Sequence, residues 1–180
     1  MVRIYTAGHS NRTLPEFVEL LLRGGIKELV DVRAHPGSRR NPQFNQDVLR
    51  AALAEAGIRY HWAGRQLGGM RKPTADSRYR ALPRGMQGYA EHMQSETFRG
   101  AVGQLRQLAD RAPVSIMCAE REPADCHRSL IADYLLTTGD GVTHLLSADT
   151  CGEHQLNAAA RLTADGLVYD RLTQATLDLG

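Results

Sequence analysis

Apolar and polar positions switch between two periods along this chain. Arg3 to Ala7 reads as a first strand, and Leu29-Val30-Asp31-Val32 as a second, a short apolar run ending in charge as buried parallel strands do. Between them, Thr13 and Glu16 make a capping box ahead of Phe17, Leu20 and Leu21 at helical spacing, and Gly24-Gly25 stops that helix. A polar loop from Ala34 to Phe44 follows, and Asn45 stands where it can cap a second helix through Val48, Leu49, Ala52 and Leu53 up to Gly57. Ile58 to Trp62 reads as strand three. Between residues 64 and 85, glycines and prolines break every period, and a structureless stretch of that length is usually functional or mobile. Ser95 starts a long helix through Phe98, Val102, Leu105 and Leu108, and Val114 to Met117 is strand four. After the acidic loop Ala119 to Asp125, a helix carries Leu130, Ile131, Tyr134 and Leu135 to an end near Gly139. Val142 to Leu146 is strand five, and a further helix is expected from about Glu153, ahead of a weakly patterned tail.

Strand and helix alternating through short connections predict an α/β fold. The expectation is a single domain over residues 1–155, with a mainly parallel sheet of about five strands flanked by helices, and a tail, 156–180, packed on the same domain. Ligands in such folds sit at the carboxyl ends of the strands. Composition fits: 42% hydrophobic and 23% charged residues in a chain of 180 exclude a disordered chain, a collagen and a disulfide-dense mini-protein. No apolar run approaches the ~18 residues of a membrane span. Three irregularly spaced cysteines and no visible secretory signal lead us to expect reduced thiols and a cytoplasmic location.

Charge changes the picture through its distribution. The chain's formal net charge is only +2, but residues 33–84 carry eleven Lys or Arg against Asp47, Glu55 and Asp76, a local net of +8. That asymmetry points to an anionic partner, a small molecule or nucleic acid, and not a membrane. Twenty of the 22 basic residues are Arg, which suits bidentate recognition of phosphate or carboxylate, although a GC-rich genome gives the same Arg/Lys ratio. Phe44, Trp62 or Tyr79 could stack bases beside this cluster. Nothing in the pattern fixes an oligomeric state.

The strand ends collect the chemistry. His9 and Ser10 follow strand one, Asp31 and Arg33 end strand two with Ser38, Arg39 and Arg40 beyond, and Cys118 and Glu120 follow strand four. Cys126-His127-Arg128 opens a helix, where the dipole and a neighbouring Arg lower a thiol's pKa and free amides attract anions. On this reading Cys126 is the reactive thiol and Cys118, ending a buried strand, the inert one. His9, Asp31, Glu120, Cys126 and His127 are the candidate catalytic groups. Ser10, Arg33, Ser38, Arg39, Arg40, Cys118 and Arg128 are the candidate substrate-binding groups. A small space-filling thiol and a satisfied core histidine are the plain alternatives for Cys126 and His127. Cys118, Cys126, His127 and His9 also offer the donors of a tetrahedral zinc or iron site, but no C-x-x-C, H-x-x-x-H or H-E-x-x-H spacing accompanies them. No metal and no cofactor is assigned. A phosphatase-type Cys with Arg six residues on is absent, since Ala124 and Ala132 stand there, and so are the phosphate-loop, dinucleotide and G-x-S-x-G motifs.

Taken together, the residues Thr6 to Arg12, Leu29 to Arg33 with Pro36 to Phe44, Leu67-Gly68-Gly69, Met117 to Glu120, Cys126-His127-Arg128 and Leu130-Ile131-Ala132 resemble the bacterial domain-of-unknown-function 488 family. The resemblance spans roughly residues 3 to 147, and Ala7 stands where that family more often has Ile. It implies a small cytosolic α/β protein and supplies no reaction. The sequence thus supports an enzyme acting on a phosphate-bearing or nucleic-acid-like substrate. The alternatives are a non-catalytic nucleic-acid or nucleotide-binding module, or a thiol or metal sensor.

Overall fold

The structure, a computed structural model, describes residues 1–164 and 166–171. In chain order the elements are β1 (Arg3–Gly8), α1 (Leu14–Arg23), β2 (Glu28–Asp31), α2 (Gln46–Glu55), β3 (Arg59–Trp62), α3 (Gly64–Leu67), α4 (Arg84–His92), α5 (Glu96–Ala109), β4 (Val114–Cys118), α6 (Arg128–Thr137), β5 (Gly141–Ser147), β6 (Thr150–Glu153), β7 (Ala160–Thr163) and β8 (Gly166–Tyr169). Six strands form one sheet in the order β3-β2-β4-β1-β5-β6. The first five are parallel, and β6 runs antiparallel on the β5 edge. The result is a single α/β domain with a mainly parallel sheet, as the alternation predicts.

The period-two alternation of the buried strands divides the core. Ala7, Leu29, Met117 and Leu145 pack with Phe17, Leu20 and Leu21 of α1 and Leu49 and Leu53 of α2. Ile4, Val30, Ile116, Cys118 and Val142 pack with Phe98, Val102 and Leu105 of α5 and Leu130, Ile131 and Leu135 of α6. The caps read from the sequence form: Thr13 and Glu16 bond reciprocally at the start of α1, and Ser95 accepts from the Phe98 amide at the start of α5. Asn45 occupies the cap position of α2, but its side chain accepts from the Ser38 amide instead, closing the preceding loop.

The crossovers place the site. β1 is followed by α1 on one face of the sheet, while its neighbour β4 is followed by α6 on the other. Connections leaving two adjacent parallel strands toward opposite faces open a crevice at their carboxyl ends.

Two expectations need correcting. No helix starts at Glu153: residues 150–153 form the edge strand β6, and β7 and β8 make a separate hairpin whose Leu167, Val168 and Tyr169 join the α5/α6 core. β6 is exposed at three of its four positions, so it shows no apolar alternation from which a strand could be read. The stretch 64–85 contains the short α3 and the start of α4, and its irregular part is pinned by buried Tyr79 and Leu82. Residues 172–180 of the expected tail lie outside the described residues. Among those described, no helix is long and apolar enough to cross a membrane.

Candidate functional site

A cleft of about 470 Å³ lies at the carboxyl ends of β2 and β4, against the start of α6. Cys118, Cys126 and His127 form one wall, Glu120 and Asp125 stand beside them, and Arg33, His35 and Met70 come from loops and Met86 from the start of α4. Cys118 is the last residue of β4 and points to the α6 side of the sheet. The chain then turns through 119–125 and returns with Cys126 just ahead of the N-cap residue, His127. A strand end and a helix start thereby meet, and the donor atoms of Cys118, Cys126 and His127 all lie within 4.8 Å of one another.

Three contacts fix the His127 ring. Its Nε2 lies 3.2 Å from the Val32 carbonyl, which can only accept, so Nε2 carries the proton of the neutral ring. Tyr89 packs against the ring at 4.8 Å between centroids, and Gly69 lies so close that a Cβ there would sit 2.8 Å from Nδ1. The Nδ1 lone pair then faces sulfur, 3.7 Å from Cys126 and 3.9 Å from Cys118. The Arg128 amide also lies 3.5 Å from the Cys126 sulfur and donates to it. The two thiols differ in their surroundings. Its proximity to Cys126 holds the Cys118 thiol well below its ordinary value, against the effect of burial and with help from His127. The same contact, together with burial, pushes the Cys126 thiol up.

A second network adjoins the first. Arg33 donates to Asp31 through Nε and Nη2, at 2.9 Å and 2.6 Å, and to the Phe44 carbonyl. Tyr60 donates its hydroxyl to the same carboxylate at 2.7 Å. Burial, with the Asp31 charge, raises the Tyr60 hydroxyl well above its ordinary value. His9 stacks on Phe44 with centroids 4.3 Å apart. Its Nδ1 donates to the Ser10 carbonyl at 2.8 Å, leaving Nε2 to accept from Arg33 at 3.3 Å. Burial lowers the pKa of His9, and the Arg33 charge reinforces this, so the ring is neutral. Ser10 takes a left-handed backbone, φ 51°, which turns its carbonyl back onto the His9 ring.

The strand-end residues named from the sequence do gather at one edge of the sheet, but several are spoken for. The Arg128 guanidinium is buried and donates to the carbonyls of Ala7, Glu120 and Arg121, tying the 119–121 turn to the end of β1. Arg33 is buried against Asp31. Both guanidinium groups are thus engaged by protein partners, though Arg33 still lines the cleft. Ser38 accepts from the Arg40 and Asn41 amides and shapes its own turn. Arg39 and Arg40 are exposed, and among the described residues no side-chain hydrogen bond or ion pair engages them or Arg84. The aromatic residues offered for base stacking do not serve: Phe44 and Tyr79 are core side chains, and Trp62 donates to the Arg33 carbonyl beneath Arg65. His35 is among the groups the sequence places beyond strand two, though without a role, and sequence reasoning missed Met70, Met86 and Tyr89. Only Gly68-Gly69 marked that part of the loop, through the close approach that a paired glycine permits.

The family model described as "Domain of unknown function DUF488" matches residues 13–135, a stretch that contains the whole cleft wall. No curated protein matches the chain, and no solved structure does.

Proposed function

The chain belongs to the DUF488 family, and from that premise we propose that it is an enzyme whose reaction centre is the Cys118–Cys126–His127 cluster and whose substrate is a small phosphate-bearing anion. One observation carries the reading: two buried thiols and an oriented imidazole converge on the wall of an open cleft at the switch point of a parallel sheet. Structural cysteines are inert when walled in by apolar packing, whereas these two border a space large enough for a ligand. The anionic preference rests on exposed Arg39 and Arg40, on the loop that also supplies His35 to the cleft, and on exposed Arg84 at the start of α4, which also supplies Gly85 and Met86. A small molecule is favoured over nucleic acid because, among the described residues, no exposed Phe, Tyr or Trp lines the cleft for base stacking.

The test is turnover by the full chain of a chromogenic phosphomonoester, a phosphodiester and AMP at low salt. Replacing an acid–base or positioning imidazole costs about a hundredfold or more, so His127→Ala should abolish turnover while leaving the melting temperature near that of the parent. Arg39→Ala with Arg40→Ala should leave stability unchanged, weaken AMP binding, and reduce its log–log salt slope by about 2 if both touch phosphate. The absence of turnover, together with no salt-dependent binding of AMP or pyrophosphate, would overturn the proposal.

A further inference from the structure

We propose that Cys118, Cys126 and His127 hold one borderline-soft divalent cation, zinc by its donor set, with a fourth position open to the cleft. The inference deepens the reading of this cluster as the reaction centre and rests on it for its catalytic consequence alone.

Geometry argues first. A tetrahedral ion with Zn–S of about 2.3 Å and Zn–N of about 2.0–2.1 Å sets neighbouring donors roughly 3.5 Å apart for S···N and 3.8 Å for S···S. The two S···N separations are 3.7 Å and 3.9 Å, and the whole donor triangle closes within 4.8 Å. Both S···N sides lie within a few tenths of an ångström of a tetrahedral face, and the S···S side, bounded at 4.8 Å, needs to close by no more than about an ångström.

The surroundings argue independently. A ligating histidine almost always donates its other ring N–H to a carbonyl or carboxylate, and His127 does so to Val32. That bond selects the tautomer whose Nδ1 lone pair faces the two sulfurs. The backbone amide of Arg128 donates to the Cys126 sulfur, an outer contact that suits a thiolate. Arg128 itself pins the turn between the two cysteines through carbonyls of β1 and of the turn, and both cysteines are buried in the α5/α6 core, so the sulfurs are held in register. The charge also balances: two thiolates and a neutral imidazole cancel a divalent cation. On binding, two S–H bonds break and their protons pass to water, while two metal–sulfur bonds and one metal–nitrogen bond form, with no change of oxidation state. His9, the other donor considered from the sequence, is occupied on both ring nitrogens and stays outside the set. Three protein donors leave the fourth position to water or substrate, the arrangement of catalytic rather than structural zinc sites.

The experiment uses the full-length protein, stripped with a chelator under reducing conditions and titrated with Co(II) and then Zn(II). One equivalent of Co(II) should give the intense visible bands of a tetrahedral thiolate site, and one equivalent of Zn(II) should bleach them. Cys151→Ser, at an exposed position away from the cluster, should leave this unchanged. His127→Ala and Cys126→Ser should each lose the bands, with circular dichroism confirming that the variants are folded. If a folded variant fails to form, alkylation provides the second readout: Zn(II) should protect Cys118 and Cys126 of the parent but not Cys151. Absence of the thiolate bands in the folded parent, or their persistence in folded His127→Ala, overturns the site. Turnover without metal binding would leave the enzyme reading standing and defeat this inference, and stoichiometric metal without turnover would do the reverse.

Discussion

Acid should destabilise this protein through His144, by an amount the structure sets. A buried chain of hydrogen bonds runs from the Thr6 hydroxyl to His144 Nδ1 at 2.7 Å, from His144 Nε2 to His154 Nδ1 at 2.9 Å, and from His154 Nε2 to Asp133 at 2.8 Å. Tyr169 and the Asn157 amide donate to the same carboxylate. Every donor and acceptor is matched when both rings are neutral and Asp133 is ionised. A second proton on His144 would land on Nδ1, where Thr6 is already donating. Burial lowers the pKa of His144 to about 4, with the neighbouring His154 and the Arg128 charge acting in the same direction. The unfolded chain binds that proton at an ordinary pKa of about 6.5, so it takes up more protons than the folded chain between the two values. The contribution of His144 is therefore fully present above about pH 6.5 and is lost as the pH falls toward 4. The two pKa values give a loss of about 2 kcal/mol at pH 5 and about 3 kcal/mol at pH 4, relative to pH 7.5. Urea unfolding of the parent and of His144→Gln across this range isolates the effect, because the other carboxylates contribute equally to both. The curves should converge as the pH falls. Parallel curves, or a folded-state His144 resonance titrating near 6.5, would refute the reasoning.

Three further outcomes follow from the site. Arg128→Leu orphans the carbonyls of Ala7, Glu120 and Arg121, and should cost about 2–4 kcal/mol in urea unfolding and lose the metal-dependent spectrum. Gly69→Ala forces a Cβ to within 2.8 Å of His127 Nδ1. Its affinity for Zn(II) should fall about 10–100-fold in a competition titration, while the melting temperature changes little. Asp31→Asn leaves the Arg33 guanidinium buried without its counter-charge and should cost about 3–5 kcal/mol, whereas Tyr60→Phe removes only one of the carboxylate's donors and should cost about 1 kcal/mol in the same assay.

The elements that could be read from the sequence are those whose signals are local. The capping box at Thr13 and Glu16, the cap at Ser95 and the apolar runs of β2 and β4 need only near neighbours, and each forms where the pattern puts it. β6 could not be read because a short exposed edge strand has its ladder partner in β5 and no buried face of its own. α4 was missed for a different reason: the residue at its cap position, Pro83, offers no side-chain cap that would mark its start.

The site divides along a different line. Placing polar residues after strands was enough to bring His9, Asp31, Arg33, Cys118 and Arg128 to one edge, because a parallel sheet aligns its carboxyl ends. It was not enough to give them roles. An arginine reads the same in a sequence whether it meets an anion or caps three carbonyls, and Arg33 and Arg128 have both been turned inward. The same residue types were named in the sequence as possible metal donors, but no motif spacing supported them, for a related reason. Motif spacings such as C-x-x-C encode ligands brought together by one local turn, whereas Cys118 and Cys126 meet through a seven-residue excursion whose path Arg128 sets. A basic side chain beside a pair of cysteines therefore has two physical meanings. If its guanidinium ends in solvent it steers anions. If it ends on backbone carbonyls it fixes the loop between the thiols, and the charge it appeared to offer a substrate has instead been used to position the sulfurs.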